Sequence, residues 1–471
     1  MTDCKTKTIQ FQAHNHRKVE ADFDGGNITS DAGALLLRQT DGKIKLMERF
    51  TACFEDKRDP ELIEHTTKDL ASQRVYGLCL GYEDLNDHDD IRRDRLLAVL
   101  VGKKDIEGKD RRCEADRGIA LAGKSTLNRM ELIPVIGEAH RYHRIGYDPD
   151  CVDELMTDIF LESFYEPPQE IIIDLDTTDD PLHGNQEGRF FHGYYDCYCY
   201  TPLYIFCGEH LLVSRLQTSN VDGAIHAVTE VSLLIARIRK RWPLVKIILR
   251  GDSGFCRDNL MSWCEENGIF YVFGMSKNDR LLARISKKMA KSRRRYWGNK
   301  KATRRYTDLR YRTHDSWRQS RRVVGKVEHL DKGANPRFVV TNLSKKKFNS
   351  KVLYEDIYCA RGDMENRIKE QQLDMFADRT STALMRSNQL RLYFSSIAYI
   401  LMQAFRRLGL KGTEYAKAQC GTIRTKLLKI GAQIKISVSR IFISMASGCP
   451  YAKLFSVALN NIQSALIPIR I

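Results

Sequence analysis

The chain has 471 residues, 42% of them hydrophobic, and its 76 Lys and Arg against 60 Asp and Glu leave a formal charge of +16. That length holds two to four domains with at least one substantial core, and the apolar fraction is ordinary for a folded soluble protein. The charge favours a polyanionic partner through phosphate neutralisation and steering, against the plainer reading of a merely basic surface. The thirteen cysteines lack the dense spacing of a disulfide-stapled secreted module. The opening MTDCKTKTIQFQAHNHRKVEADFDGG has no apolar core of a signal peptide, and no apolar run reaches about 18 residues. A reducing cytosol, with no membrane insertion, is the expected setting.

Residues 1–150 read as mainly helical, interrupted at Gly25-Gly26 and Asn86-Asp87. Ser30 is the expected cap of a helix carrying Ala32, Ala34, Leu35, Leu36 and Leu37. Ala71 to Tyr82 has Val75, Leu78 and Cys79 at helical spacing, bounded by the charged run from Glu83 to Asp94. The expected role of this region is DNA-end binding or dimerisation, against a plain solvated helical domain.

From about residue 168 the pattern turns to strands. Ile171 to Asp176 is a short apolar run, and Tyr194 to Phe206 alternates like an antiparallel strand or hairpin. Gly223 to Lys240 reads as helix through Val228, Val231, Leu234 and Ile238, and Val245 to Leu249 as a strand leading to Gly251-Asp252. Asn259 to Glu266 is a helix and Ile269 to Phe273 a strand, so the core is mixed α/β. Between Arg284 and Lys326 stand 17 Lys or Arg against Asp308 and Asp315, interleaved with Tyr296, Trp297, Tyr306, Tyr311 and Trp317. This marks residues 276–350 as a basic β-rich insertion contacting DNA, with Arg293, Arg294, Arg295, Arg304 and Arg305 as phosphate contacts. Arg322 to Glu328 and Arg337 to Thr341 pair within it, around a turn at Asp331 to Pro336. Helix returns from Met364 and through Ser381 to Arg407, with Leu390, Tyr393, Phe394, Ile397, Ile400 and Leu401 as its buried face; residues 411–471 form a basic C-terminal region.

Three acidic residues stand where carboxylates hold divalent metal. Asp176 ends Ile-Ile-Ile-Asp-Leu-Asp, Asp252 ends Ile-Ile-Leu-Arg-Gly-Asp, and Glu365 lies in the helical stretch Arg-Gly-Asp-Met-Glu-Asn-Arg. Phosphodiester chemistry needs an activated oxygen nucleophile and stabilised charge at phosphorus, which two Mg²⁺ ions (or Mn²⁺) supply when held by a few carboxylates. Asp174 shares strand parity with Asp176, so either is a candidate ligand; Asp179 and Asp180 read as turn residues. Arg361, Glu365 and Lys369 are spaced by four and share a helix face. The alternatives there are a surface ion-pair ladder, or a ligand flanked by phosphate contacts with Tyr358 against the DNA backbone.

These segments carry a resemblance. Asp-Leu-Asp-Thr-Thr, Leu-Arg-Gly-Asp-Ser-Gly-Phe and Tyr-Cys-Ala-Arg-Gly-Asp-Met-Glu-Asn-Arg-Ile-Lys resemble a DDE transposase of bacterial insertion sequences, the group called family 1380. The stretches Phe23-Asp-Gly-Gly-Asn-Ile-Thr-Ser-Asp-Ala-Gly-Ala and Gly-Tyr-Glu-Asp-Leu-Asn-Asp resemble it as well. The resemblance implies an RNase H-like core over 165–275 and 351–410, interrupted by the insertion, with Asp176, Asp252 and Glu365 as the metal triad. It implies a Tyr-Arg-Glu-Lys signature at Tyr358, Arg361 and Glu365; the lysine position holds Gln372, and Lys369 is the substitute on the same helix. It implies cleavage at inverted-repeat ends, strand transfer into target DNA, an assembly of at least two chains, and a nucleoid-associated protein of the bacterial cytoplasm. The competing functions are a metal-dependent nuclease without strand transfer and a non-catalytic DNA-binding protein.

Two other patterns are set aside. Gly118 to Ser125 matches the phosphate-loop spacing, but no apolar strand precedes it. Cys197, Cys199, Cys207 and His210 could be drawn as a zinc site, yet Cys-Tyr-Cys-Tyr alternates like a strand.

Overall fold

A computed structural model describes residues 8–137 and 144–466. The chain forms two compact units, Met1–Glu131 with Ala404–Ala465, and Leu132–Gln403 with Leu466–Ile471. No helix among the described residues is long and apolar enough to cross a membrane.

The first unit is built on helices, including Leu35–Ile44, Leu46–Ala52, Thr67–Leu80 and Ala452–Ser464. Thr67–Leu80 begins at a capping box between Thr66 and Asp69, and ends at Gly81, whose φ of 91° suits a residue without Cβ. Ser30 does not cap the next helix. A 3₁₀ turn, Ala32–Ala34, precedes Leu35–Ile44, and the Ser30 hydroxyl donates to the Asp31 carboxylate. Packing decides this: Gly33 lies so close to Leu427 that a Cβ would come within 1.7 Å of its carbonyl oxygen, and the Ala32 N–H donates to Ile430. Ile28–Thr29 joins Ala432–Ile436 and Ile441–Met445 in a small sheet, while Ile9–His14 and Arg17–Ala21 pair as an exposed hairpin. In the segment with phosphate-loop spacing, Asp89 accepts from the Lys124 backbone N–H and also pairs with the Lys124 ammonium. A carboxylate occupies the place a phosphate would need.

The second unit is organised by one large sheet. Its elements in chain order are α1 (Pro149–Leu161), β1 (Glu170–Thr177), β2 (Leu203–Cys207), β3 (His210–Arg215), α2 (Ala227–Arg241), β4 (Lys246–Gly251), α3 (Asp258–Glu266), β5 (Phe270–Met275) and α4 (Asp279–Asn299). They continue with β6 (Thr303–Tyr311), β7 (Arg321–Leu330), β8 (Arg337–Thr341), α5 (Gly362–Met375) and α6 (Met385–Gly409). The strand order is β3-β2-β1-β4-β5-β8-β7-β6, with Gly333–Ala334 added beside β7. β1, β4 and β5 are parallel neighbours; the other pairings on this path are antiparallel. The basic segment therefore opens with a 21-residue helix, and its strands extend the same sheet through β8 against β5.

Strand alternation sorts side chains onto two faces. Ile171, Ile173, Leu175, Ile247, Leu249, Tyr271 and Phe273 pack with Val231, Leu234 and Ile238 of α2, Leu260 and Met261 of α3, and Leu281 and Ile285 of α4. The opposite face carries Ile172, Ile248, Val272, Val324 and Val339, covered by Leu353, Tyr354 and Tyr358. The charges at the ends of β1 and β4 have the parity of this second face. The expected buried side of α6 is buried, and so are Leu392, Ala398 and Tyr399 between those positions. Two of its polar residues tie it to the sheet and to α5: Gln389 exchanges hydrogen bonds with the backbone of Ser214 and Leu216, and Ser396 bonds Ser214 and Gln371.

On that second face Arg250 lies across from Asp174 in the register of β4 and β1. Both Asp174 oxygens accept from it, at 2.5 and 2.7 Å, and both side chains are buried. Removing one partner strands a buried charge, which costs about 3–5 kcal/mol. Arg250→Met is expected to lower the unfolding free energy measured by urea titration by that margin, and adding Asp174→Leu to recover most of it.

Candidate active site

Asp176 stands two residues beyond Asp174, on the same face, where β1 leaves the sheet. Asp252 follows β4 directly and has the same parity. Its Oδ1 accepts from the Gly254 N–H at 2.8 Å, so the Gly-Asp-Ser-Gly exit holds the carboxylate by its own backbone. Glu365 lies in the first turn of α5, on a segment packed against β1. Asp176 and Glu365 meet at Arg361, and Asp252 acts on Asp176 and Arg361 through its charge. One guanidinium nitrogen donates to Asp176 Oδ2 and another to Glu365 Oε1, each at 2.8 Å.

The electrostatics agree with this convergence. Asp176 is pushed up to about 6, first by burial and then by the charges of Asp252 and Glu365, against the lowering influence of Arg361. Two carboxylates share one guanidinium and a third, Asp252, adds its charge, which leaves excess negative charge on hard oxygen donors, the chemistry that suits Mg²⁺ or Mn²⁺. Among the described residues no set of three or more metal-type side chains is drawn into a ligand cluster; Arg361 bridges two of the carboxylates instead. Asp174 is paired through both oxygens with Arg250 instead of Arg361.

Tyr358 is half-buried beside Tyr354, with ring centroids 5.5 Å apart, and burial raises its phenol pKa. It lies over Gly274: a Cβ there would come within 2.6 Å of the Tyr358 hydroxyl and 2.9 Å of the Ser253 nitrogen. A cleft of about 660 Å³ opens at this place, lined by Asp252, Lys277, Arg337, Phe338, Tyr358 and Arg361 among others. Lys369 is exposed further along α5. Gln372, at the signature's lysine position, donates to the Asp179 carbonyl and so ties α5 to the chain leaving β1. Asp180 is a buried member of the short strand Asp180–Pro181 rather than a surface turn residue; Thr380 donates to it, and burial holds its pKa well above the usual carboxylate range.

The expected phosphate-binding arginines divide. Arg293, Arg294 and Arg295 are exposed on α4, whose buried stripe is Leu281, Ile285, Ser292 and Tyr296. That stripe packs on the sheet face opposite the carboxylates. Arg305 is also exposed and shares that parity, whereas Arg304 is bound to Glu328 and Glu355 on the carboxylate-bearing face. The drawn zinc site does not form among the described residues: Cys199 is buried in strand Cys197–Tyr200, and Cys207 and His210 face each other across the β2–β3 turn.

Fold and site thus define the class, a mixed α/β protein with carboxylates gathered at the ends of two central parallel strands and on a facing helix. The model of the transposase DDE domain group 1 family matches residues 11–466, and the chain belongs to that family. No curated protein matches the chain. Among solved structures, the piggyBac transposase in a synaptic complex with hairpin DNA is similar over 93% of this chain and 82% of that chain, at 12% identity and a TM-score of 0.43.

Two outcomes are expected. Mn²⁺ binding, followed calorimetrically, rises with pH around 6 as Asp176 loses its proton; Arg361→Gln moves the midpoint upward by removing the cation that favours the ionised form. Gly274→Ala, which crowds Tyr358 and the backbone after Asp252, lowers stability by about 1–3 kcal/mol in urea unfolding.

Proposed function

We propose that this transposase has an RNase H-like core and performs metal-dependent DNA cleavage at the inverted-repeat ends of a mobile element, followed by strand transfer. The insertion-sequence group called family 1380 is the subgroup whose motifs its sequence matches. The observation carrying this reading is the Arg361 guanidinium shared by Asp176 and Glu365, with Asp252 acting on the same Asp176 carboxyl.

Asp176, Asp252 and Glu365 would hold one or two Mg²⁺ ions, which lower the pKa of a water nucleophile and offset charge at phosphorus. The protein's own residues do the rest. β1 and β4 fix two carboxylates on one sheet face, and α5 brings the third. Arg361 keeps them from repelling one another before substrate arrives and is then available to a DNA phosphate. Tyr358, wedged over Gly274, presents its phenol to the backbone of the bound strand. Lys277 and Arg337 line the adjoining cleft and supply phosphate contacts there. Arg293, Arg294, Arg295 and Arg305 contact DNA at a distance from the reaction, and Arg304 acts through its ion pairs. Two element ends call for at least two chains on DNA.

The test is incubation of purified protein with DNA bearing the element ends, in Mg²⁺ or EDTA, beside Asp252→Ala. The expected result is end-specific cleavage and joining on a sequencing gel, both abolished by EDTA and by the substitution. Cleavage without joining would instead identify a nuclease, and binding without cleavage a DNA-binding protein.

A further inference from the structure

Between Asp176 and β2 the chain makes an excursion that the carboxylate chemistry does not use. Residues 189–200, Arg-Phe-Phe-His-Gly-Tyr-Tyr-Asp-Cys-Tyr-Cys-Tyr, hold six Phe or Tyr and no Leu, Ile, Val or Met. They form a hairpin of Phe190–His192 with Cys197–Tyr200, and Asp196 turns the chain at a φ of 55°. Cys197–Tyr200 also pairs with Asp180–Pro181. This small sheet therefore starts three residues after β1 ends, and it returns through Thr201-Pro202 to β2, where Tyr204 lies across from Asp176.

The hairpin has one side partly covered and one open: on the first Cys199 is buried while Phe190 across from it is 41% exposed, and Ser219 donates to the Phe190 carbonyl. On the outer side Phe191 and Tyr198 are directly opposed, at 53% and 43% exposure, with rings edge to face at 5.5 Å. The Arg189 guanidinium lies 3.7 Å from the Tyr198 ring centre. At the turn Tyr194 is 85% exposed, its ring 5.0 Å from that of Tyr195. Tyr195 feels Asp179, Asp176 and Asp252 after its own burial, so the turn reaches the field of the carboxylates.

Flat rings with a stacked guanidinium, and no aliphatic side chains to interdigitate, suit planar partners better than another protein's core. Base faces are such partners, and each has an open face only where its duplex is melted or ends. We propose that this outer face, Arg189, Phe191, Tyr194 and Tyr198, is a stacking platform for unpaired DNA bases beside the reacting phosphate. It rests on the DNA-cleaving reading above and adds to it a means of holding strands apart at the site. The adjoining cation recognises the same nucleotides through their phosphates, and the position next to β1 makes the platform a neighbour of Asp176.

The test compares binding by the full chain of two end duplexes in Ca²⁺, one fully paired and one with about three unpaired nucleotides at its tip. Each carries 2-aminopurine at the tip. Wild-type protein is expected to prefer the unpaired tip and to change its 2-aminopurine emission by stacking. Phe191→Ala with Tyr198→Ala should weaken binding to the unpaired tip by about tenfold or more per ring, leave the paired duplex within about twofold, and abolish the emission change. Tyr198→Phe, which keeps the ring, should behave as wild type. Unchanged binding to both duplexes overturns the proposal, as does an equal loss on both. A shift of the DNA-free protein to a smaller species in sedimentation would also overturn it, by making the face a contact between copies. Failure of wild-type protein to bind either duplex would bring down the DNA-cleaving reading itself, and this proposal with it.

Discussion

Strand periodicity places Asp174, Asp176, Arg250 and Asp252 on one face of the central strands, and their low exposure obliges each charge to be answered. Arg250 answers Asp174 completely, through both oxygens and across a fixed strand register. One step further toward the strand ends, Asp176 shares Arg361 with Glu365, and Asp252 is held by the Gly254 N–H. The arrangement separates a buried ion pair from the carboxylates that Arg361 bridges, standing two residues away. The same alternation sends Ile173, Leu175 and Leu249 to the opposite face, where helices cover them.

The elements that carry these carboxylates are held from several directions. Gly274 gives Tyr358 and the Ser253 backbone room to approach β5, and Gln372 ties α5 to the residue before Asp180. α5 is thus anchored at both the Tyr358 end and the far end of Glu365's helix. Gln372 contributes a neutral hydrogen bond to the main chain, while Lys369 stands exposed on the same helix. The aromatic hairpin grows from this tethered stretch, which is why its turn stays close to the carboxylates.

Positive charge is spread over more than one layer. α4 buries Leu281, Ile285, Ser292 and Tyr296 and leaves Arg293, Arg294 and Arg295 to solvent, on the sheet face away from Asp176. Arg321 and Arg322, from the same basic stretch, are buried in ion pairs with Asp258, Glu265 and Asp308. Counting cations in a segment therefore overstates the positive charge left at the surface, because several of them neutralise acids brought in from elsewhere in the fold.

Alternation and apolar runs by themselves determined β1, β4, β5, α2, α3 and the strand ends at Asp176 and Asp252, because burial on both faces demands those residue types at those spacings. The helical setting of Glu365 was equally legible, as were the paired strands on either side of Asp331. Tertiary structure alone decided that Asp174 pairs with Arg250, on a strand 76 residues away, while Asp176 pairs with Arg361 beside Glu365. It also decided that Asp180 is buried, that Ser30 is not a cap, and that β6 to β8 extend the large sheet. These outcomes depend on partners distant in sequence, and a local pattern carries no record of the residue that will lie opposite.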